Sequence, residues 1–111
     1  MSDTTTIIQT LKNLVASFIE ERRWNQFHSP KNLSMSIAIE AAELMELFQW
    51  TAGSDTEDIP MGQVREELAD VVIYCISLAN ALDIDIATAV RDKVKINAQK
   101  YPVEKFQGNY K

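Results

Sequence analysis

The chain has 111 residues and a formal net charge of −5. Its length fits one compact domain over residues 1–111. The composition, with 46% hydrophobic and 24% charged residues, is typical of a globular chain rather than a disordered one. The acidic balance argues against a nucleic-acid polymer as ligand, and no apolar run is long enough to cross a bilayer, so we expect no membrane partner.

Two features predict the cellular location. Cys75 is the single cysteine and cannot form an internal disulfide, which fits a reducing compartment. The N-terminus lacks the basic segment followed by an apolar one that is typical of a secretion signal. We therefore expect a cytoplasmic protein.

Apolar residues at helical spacing predict four helices, and glycine and proline are few. The first helix covers about 5–22. A loop with aromatic and hydrogen-bonding side chains follows over 24–30, because proline disfavours helix at the preceding residue. The second helix begins at about 32 or 33, with Asn32 as its N-cap, and ends at about 50.

The third predicted helix covers about 60–82 and has proline in its first turn. Before it lies a polar turn over 52–58, in which Gly53 would stop the second helix. The second and third helices are apolar over most of their circumference. Because two further helices cannot cover all of that surface, we expect a helical homo-oligomer.

The fourth predicted helix covers about 86–101, with Asp83 or Asp85 as its N-cap and Pro102 at its end. Residues 103–111 are predicted to be a loosely held tail. The predicted fold is therefore all-α, with a subunit resembling a four-helix bundle.

Two pairs of acidic residues lie on apolar helix faces. Glu40 and Glu43 are three residues apart in the second predicted helix, and Glu67 and Asp70 repeat this spacing in the third. Residues at i and i+3 share one face of a helix. Carboxylates grouped in a low-dielectric interior repel each other and are costly to desolvate. Either they take up protons or a cation lies between them, and oxygen ligands in this number suit Mg²⁺ or Mn²⁺.

The acids have two plainer interpretations. They could be surface residues of an irregular helix, although two pairs with one spacing on two apolar faces disfavour this. They could also belong to a di-iron carboxylate bundle, but that site needs Glu-x-x-His motifs. The single histidine, His28, falls in a predicted loop, so the evidence for a redox metal is weak.

A second polar line lies on the fourth predicted helix, where Lys93, Asn97 and Lys100 follow each other at spacings of four and three. Cations and an amide on one face could bind phosphate oxygens. The alternative is a solvated helix face with extended lysines.

Several aromatic residues could stack on a nucleobase. Tyr74 lies one turn after the second acidic pair, and Trp50 lies two turns after the first; Trp24, Phe27 and His28 belong to the predicted loop. Packing in the core is the alternative for each of them.

Four segments together resemble the MazG-like nucleotide pyrophosphohydrolases, with the dCTP pyrophosphatase branch the most similar. They are residues 21–33, with Trp-x-x-Phe-His-Ser-Pro; 40–50, with Glu-x-x-Glu and Trp; 66–74, with Glu-Glu-Leu-Ala-Asp and Tyr; and 100–104, Lys-Tyr-Pro-Val-Glu. The similarity runs from about residue 11 to the end of the chain.

The resemblance implies an all-α protein that forms a homodimer or homotetramer. It also implies Mg²⁺-dependent cleavage of a nucleoside triphosphate, with dCTP or a modified relative as the first guess, to the monophosphate and pyrophosphate. Its implied site residues are, for the metal and catalysis, Glu40, Glu43, Glu67 and Asp70; for the base, Trp24, His28, Trp50 and Tyr74; and for the phosphates, Lys93, Asn97 and Lys100.

Three points stay open from the sequence. The acid that deprotonates the attacking water could be Glu43 or Glu46. The chain could instead be a nucleotide sensor that keeps the site without turnover. It could also be a helical interaction module whose acids meet a basic partner.

Overall fold

The computed structural model describes residues 1–51 and 59–109, and these contain helices and turns but no strand. The predicted all-α fold is confirmed. The elements are α1 (Ile8–Glu21), a 3₁₀ turn (Trp24–Phe27), α2 (Pro30–Glu46), α3 (Met61–Leu82), α4 (Ile86–Lys100) and α5 (Val103–Phe106).

Helix α3 lies at the centre of the subunit. Its most extensive contact is with α2, and α1 packs beside it. On the α1 side, Val15 and Ile19 are buried against Ile76 of α3. The Asn80 side chain reinforces this contact by donating from Nδ2 to the backbone carbonyl of Lys12, 3.1 Å away. The apolar stripe of α1 and a polar bond at its edge therefore fix α1 against α3.

Helix α2 begins at Pro30, two or three residues earlier than predicted. Proline is its first residue, a position where the missing N–H costs nothing. Ser29 is the N-cap, since its Oγ accepts a hydrogen bond from the backbone N–H of Asn32 at 3.2 Å. The prediction of Asn32 as N-cap was wrong because Asn32 is the third residue of the helix. Its side chain instead donates to the carbonyl of Phe27 at 3.1 Å, which ties the 3₁₀ turn to α2.

The other end of α2 also differs from the prediction. The helix ends at Glu46. The next residues form turns in which a backbone N–H donates to the carbonyl three residues earlier, as from Phe48 to Met45 at 3.0 Å. The predicted stop at Gly53 lies outside the described residues. Pro60 precedes α3 as its N-cap residue rather than lying inside the first turn, and its carbonyl accepts from the Val64 N–H at 3.0 Å.

A sharp bend separates α3 from α4, whose axes differ by 102°. Asp83 ends α3 in the left-handed conformation, with φ of +54°. Asp85 is the N-cap of α4, since its Oδ1 accepts a hydrogen bond from the backbone N–H of Thr88 at 2.9 Å. It was one of the two predicted alternatives. The same bond lowers the pKa of Asp85.

Helix α4 projects from the other helices instead of completing a compact bundle. Its apolar residues Val90 and Val94 are 57% and 60% exposed. The radius of gyration is 16.9 Å, against about 13 Å for a compact chain of this length. The single subunit thus leaves an apolar helix face uncovered.

A second uncovered apolar surface is the α1–α3 groove, a depression of about 1160 Å³ between these two helices. Exposed apolar side chains line it, among them Leu14, Phe18, Leu68 and Val72. Among the described residues no single helix is long and apolar enough to cross a membrane, and the bent pair of α3 and α4 passes that test only by length and composition.

The C-terminal segment contains a short helix that the sequence did not predict. Residues 103–106 form α5, and the ring of Phe106 packs edge-on against that of Tyr101 with 5.2 Å between centroids. The loosely held tail over residues 103–111 stays a prediction.

The capping interaction at Ser29 gives a stability prediction. Ser29→Ala removes the acceptor for the Asn32 N–H, and we expect it to lower the free energy of unfolding by about 1 kcal/mol in urea denaturation. Ser34→Ala is the matched control, since Ser34 lies on the exposed face of α2 and its hydroxyl only returns to the Lys31 carbonyl. Equal stabilities of the two variants would contradict the N-cap assignment.

Candidate metal and nucleotide site

Three of the four predicted acids meet where α2 packs on α3. Glu40 comes from α2, and Glu67 and Asp70 come from α3. One carboxylate oxygen of each lies within 4.8 Å of the other two, and all three residues are half-buried. We call these three residues the acidic cluster. Glu43 is more exposed and lies within hydrogen-bonding reach of Glu40 and Glu67, at the rim of the cluster.

The cluster lacks the partners that buried carboxylates need. Oε2 of Glu40 and Oε2 of Glu67 are buried without a hydrogen-bond partner in the described part of the chain. The ion pairs found among the described residues, Glu21–Arg22 and Arg91–Asp92, lie elsewhere. Because an unpaired buried charge is strongly unfavourable, the cluster must hold either protons or a cation.

The pKa values respond to the same surroundings. Burial, followed by the neighbouring Glu43, raises the pKa of Glu40 from 4.5 to about 7, and Asp70 and Glu67 add to the effect. Burial also raises the pKa of Glu67, again with Glu43 as the next cause. Near neutral pH the Glu40 carboxyl, with its pKa of about 7, is therefore poised between a protonated and a charged state.

The donor set of the cluster fits a hard divalent cation. Carboxylate oxygens from two helices converge, and two of them have free buried lone pairs. Oxygen ligands of this kind bind Mg²⁺ and Mn²⁺, whereas softer metals favour sulfur and imidazole. The acidic cluster can therefore hold a divalent metal ion.

The aromatic residues separate into two groups. The ring of His28 lies 6.3 Å from that of Tyr74, one helical turn after Asp70, and Nδ1 of His28 is buried without a partner among the described atoms. Trp24 instead packs edge-on against Phe18, with 5.6 Å between ring centroids. Trp50 is 89% exposed in the turn after α2. The subunit thus brings His28 and Tyr74 together beside the acids, but neither tryptophan joins them.

The predicted phosphate-binding residues stay apart from the acids within one subunit. Lys93, Asn97 and Lys100 are all exposed on α4. Asp70 lies about 18 Å before the end of α3, and α4 leaves that end at 102°. Their role in binding phosphate stays a prediction, and it requires α4 of another copy or a change in the position of α4.

Sequence reasoning missed a polar cavity of about 170 Å³ beyond Tyr74. It lies between α1, the 3₁₀ turn and α3, and His28 is part of its lining. The available signal was the pair Ser77 and Asn80, two polar residues in an otherwise apolar run of α3. The other polar residues that line the cavity are Glu20 and Asn25.

Comparison with known proteins places these residues in a family. A family model described as the MazG-like family matches residues 35–111. Among curated proteins, mouse dCTP pyrophosphatase 1 (Mus musculus) is 40% identical over 109 residues, which is 92% of this chain and 63% of that protein. The human protein of the same name (Homo sapiens) is 40% identical over 102 residues, 86% of this chain and 59% of the relative. The chain thus spans about three fifths of the length of these relatives.

A solved structure matches the fold. The crystal structure of a pyrophosphatase from Archaeoglobus fulgidus superposes with a TM-score of 0.81 and 40% sequence identity, covering 92% of this chain and 98% of that chain. The arrangement of helices described above is therefore shared with a protein of nearly the same length.

The raised pKa of Glu40 predicts how stability depends on pH in a buffer free of divalent cations. The folded protein keeps this proton over a range in which the unfolded chain has lost it. The contribution of this protonation to the free energy of unfolding is at its full value below pH 4.5, and it is lost as the pH rises through about 7. We expect the melting temperature of wild type to decrease as the pH rises across this range. In Glu40→Gln the decrease should be smaller.

Glu46→Gln is the control, since Glu46 is an exposed glutamate on the same helix. It should retain the wild-type dependence on pH when measured at the same protein concentration. Identical melting curves for Glu40→Gln and wild type at every pH would show that Glu40 is not the group responsible.

Proposed function

This chain belongs to the MazG-like family, and we propose that it hydrolyses a nucleoside triphosphate to the monophosphate and pyrophosphate, with Mg²⁺ or Mn²⁺ at the acidic cluster. The observation that carries the proposal is the pair of buried, unpartnered carboxylate oxygens on Glu40 and Glu67. The first candidate substrate is dCTP or a modified relative, because the mouse and human relatives are named for dCTP. The cytoplasmic location stays a prediction.

The acids of α2 and α3 have distinct roles in this proposal. Glu40, Glu67 and Asp70 would hold the cation, since their oxygens already converge. A bound divalent cation neutralises and polarises phosphate oxygens, which lets a triphosphate approach an acidic surface. The cluster would thereby place the triphosphate beside α2, next to Glu43 at its rim.

Glu43 is the favoured general base over Glu46. Its carboxylate reaches both Glu40 and Glu67 and is exposed enough to meet water, whereas Glu46 is the last residue of α2. In the proposed step the carboxylate of Glu43 takes a proton from water as the water oxygen bonds to the α-phosphorus. The bond from that phosphorus to the bridging oxygen breaks, and pyrophosphate leaves with the electron pair.

The nucleoside would extend along α3 from the acids towards Tyr74 and His28. Their rings lie 6.3 Å apart at an angle of 56° and present one aromatic edge of the site. A nucleobase beside them would gain stacking energy, worth about 1–3 kcal/mol per base in single-strand binders. Trp24 and Trp50 would join the base only if ligand binding or assembly moved them.

We also propose that a second copy of the chain covers the exposed apolar surfaces as a homodimer or homotetramer. The α1–α3 groove and the apolar face of α4 are both uncovered in one subunit, and α4 cannot fold back onto its own groove because of the 102° bend. Contiguous exposed apolar side chains on a protein surface mark interfaces. An assembly would also allow Lys93, Asn97 and Lys100 to approach the acids of another copy.

Pyrophosphate release tests the proposed activity. With Mg²⁺ or Mn²⁺ and a panel of common and modified nucleoside triphosphates, we expect wild type to release pyrophosphate and Asp70→Asn to lose activity. Glu43→Gln should lower kcat by about 100-fold or more, while Glu46→Gln stays near wild type. Equal losses for Glu43→Gln and Glu46→Gln would contradict the choice of base.

A melting assay separates the alternatives. Stabilisation by a triphosphate with Mg²⁺, but without turnover, would indicate a nucleotide sensor. Neither stabilisation nor turnover would indicate an interaction module and would overturn the proposed function.

Sedimentation velocity tests the assembly. We expect wild type to be oligomeric at micromolar concentration, and Val72→Lys in the α1–α3 groove to raise the dissociation constant by at least about tenfold. Val103→Lys is the control, since Val103 is 68% exposed and lies outside the groove. A monomeric wild type would overturn the assembly.

A further inference from the structure

The direction of α4 is set at the corner where the chain leaves α3. Ile86, the first residue of α4, is half-buried and packs against the core cluster of Val15, Ile19 and Ile76. Every later residue of α4, from 87 to 100, is exposed. The contacts at the corner therefore decide where the far end of the helix lies.

A small change at this corner becomes a large displacement at the far end. Ile86 and Lys100 are the ends of a 15-residue helix, about 21 Å apart along its axis. A rotation of about 10° at Ile86 would move Lys100 by about 4 Å. Because a charge-assisted hydrogen bond spans about 2.7–2.9 Å, such a shift would break a contact between Lys100 and a phosphate.

Hydrogen bonds within the connection close the corner locally. The N–H of Ile84 donates to the carbonyl of Ala79 at 2.9 Å, and Asp83 between them has φ of +54°. Asp85 then caps α4 by accepting from the Thr88 N–H at 2.9 Å. The carbonyl of Ile84 lies between these two bonds and is available to another helix.

Lys12 of α1 binds that carbonyl. Its Nζ donates to the Ile84 oxygen at 2.8 Å, across 72 positions of the sequence. The backbone of Lys12 is itself held, because Nδ2 of Asn80 donates to its carbonyl at 3.1 Å. Leu11, beside it in α1, packs against the same core cluster as Ile86. The side chain of Lys12 thus starts from a fixed point and ends on the corner.

The ammonium of Lys12 also acts on the residue that begins α4. Hydrogen bonds from Thr88 lower the pKa of Asp85, and the charges of Lys12 and Arg91 lower it further. Lys12 is half-buried, so solvent screens its charge less than that of a fully exposed lysine. The lysine therefore holds the corner by a hydrogen bond and by its attraction to a carboxylate.

We propose that Lys12 is a positioning residue, which fixes the direction of α4 and thereby the location of Lys93, Asn97 and Lys100 beside the acids of another copy. The positioning of α4 rests on contacts within one subunit. Its effect on phosphate binding rests on the proposed hydrolysis and assembly. Because Lys12 lies outside the acidic cluster, it acts on the substrate through α4.

The distance between α1 and α4 tests the proposal directly. In a Cys75→Ser background, spin labels at Ser17→Cys and Gln99→Cys, two exposed positions, report this distance by double electron–electron resonance. Co-expression with an excess of the Cys75→Ser chain, which has no cysteine to label, isolates distances within one subunit. We expect a narrow distribution with lysine at position 12, and Lys12→Met to shift or broaden it by about 4 Å or more.

Two further variants control for side-chain packing and for surface charge. Lys12→Met keeps the apolar stem, and circular dichroism checks its fold. Lys12→Arg can still donate to the carbonyl and should restore the wild-type distribution. Lys31→Met removes an exposed lysine of α2 whose ammonium has no partner among the described residues, and it should change nothing. Identical distributions in Lys12→Met and wild type, or an equal change in Lys31→Met, would overturn the proposal.

Asp85→Asn decides the matter if Lys12→Met does not fold. Asparagine keeps an oxygen that accepts from the Thr88 N–H, but it removes the charge that attracts Lys12. A distribution broader than that of wild type would support the proposal, and an unchanged one would overturn it.

Kinetics test the consequence for the substrate. Lys12→Met should raise KM for the hydrolysed triphosphate by about tenfold and change kcat by less than about twofold, since weaker phosphate contacts from α4 lower affinity. Partial unfolding would instead lower kcat with KM unchanged. An unchanged KM beside a changed distance would overturn the link to phosphate binding. If wild type hydrolyses no triphosphate, the proposed function fails, and the distance measurement still decides the role of Lys12.

Discussion

The placement of carboxylates in the contact between α2 and α3 governs the rest of this structure. Glu40 on one helix and Glu67 and Asp70 on the other converge where apolar side chains would otherwise stabilise the packing. Two of their oxygens are buried without a donor. Two helices cannot hold such charges together unless protons or a cation neutralise them, so the most extensive helix contact of the subunit is also its most ligand-dependent one.

The acidic cluster and the α1–α3 groove lie on different sides of α3. The side towards α2 carries the acids, while the side towards α1 carries a groove of about 1160 Å³ that one subunit leaves open. A central helix that serves a ligand on one side and an interface on the other explains why α3 is apolar around most of its circumference. It also explains why so few large side chains are fully buried in the single chain.

Much of this architecture could be predicted from the sequence because helical periodicity is a local signal. The all-α fold and the placement of each acidic pair on one helix face follow from spacing, and Asp85 was one of two predicted caps. The sequence could not show that Ser29 rather than Asn32 caps α2, since both are good capping residues and the choice depends on where proline starts the helix. The direction of α4 and the exposure of Trp50 were equally hidden, because they depend on tertiary contacts rather than on spacing.

The central claim is that a divalent cation makes the buried acids tolerable, and anomalous diffraction from crystals grown with Mn²⁺ at about pH 8 tests it most directly. The account predicts an anomalous peak at coordination distance, about 2.0–2.3 Å, from carboxylate oxygens of Glu40, Glu67 and Asp70. A map without a peak there, in which the same carboxylates pair with basic side chains or turn outward to solvent, would contradict it.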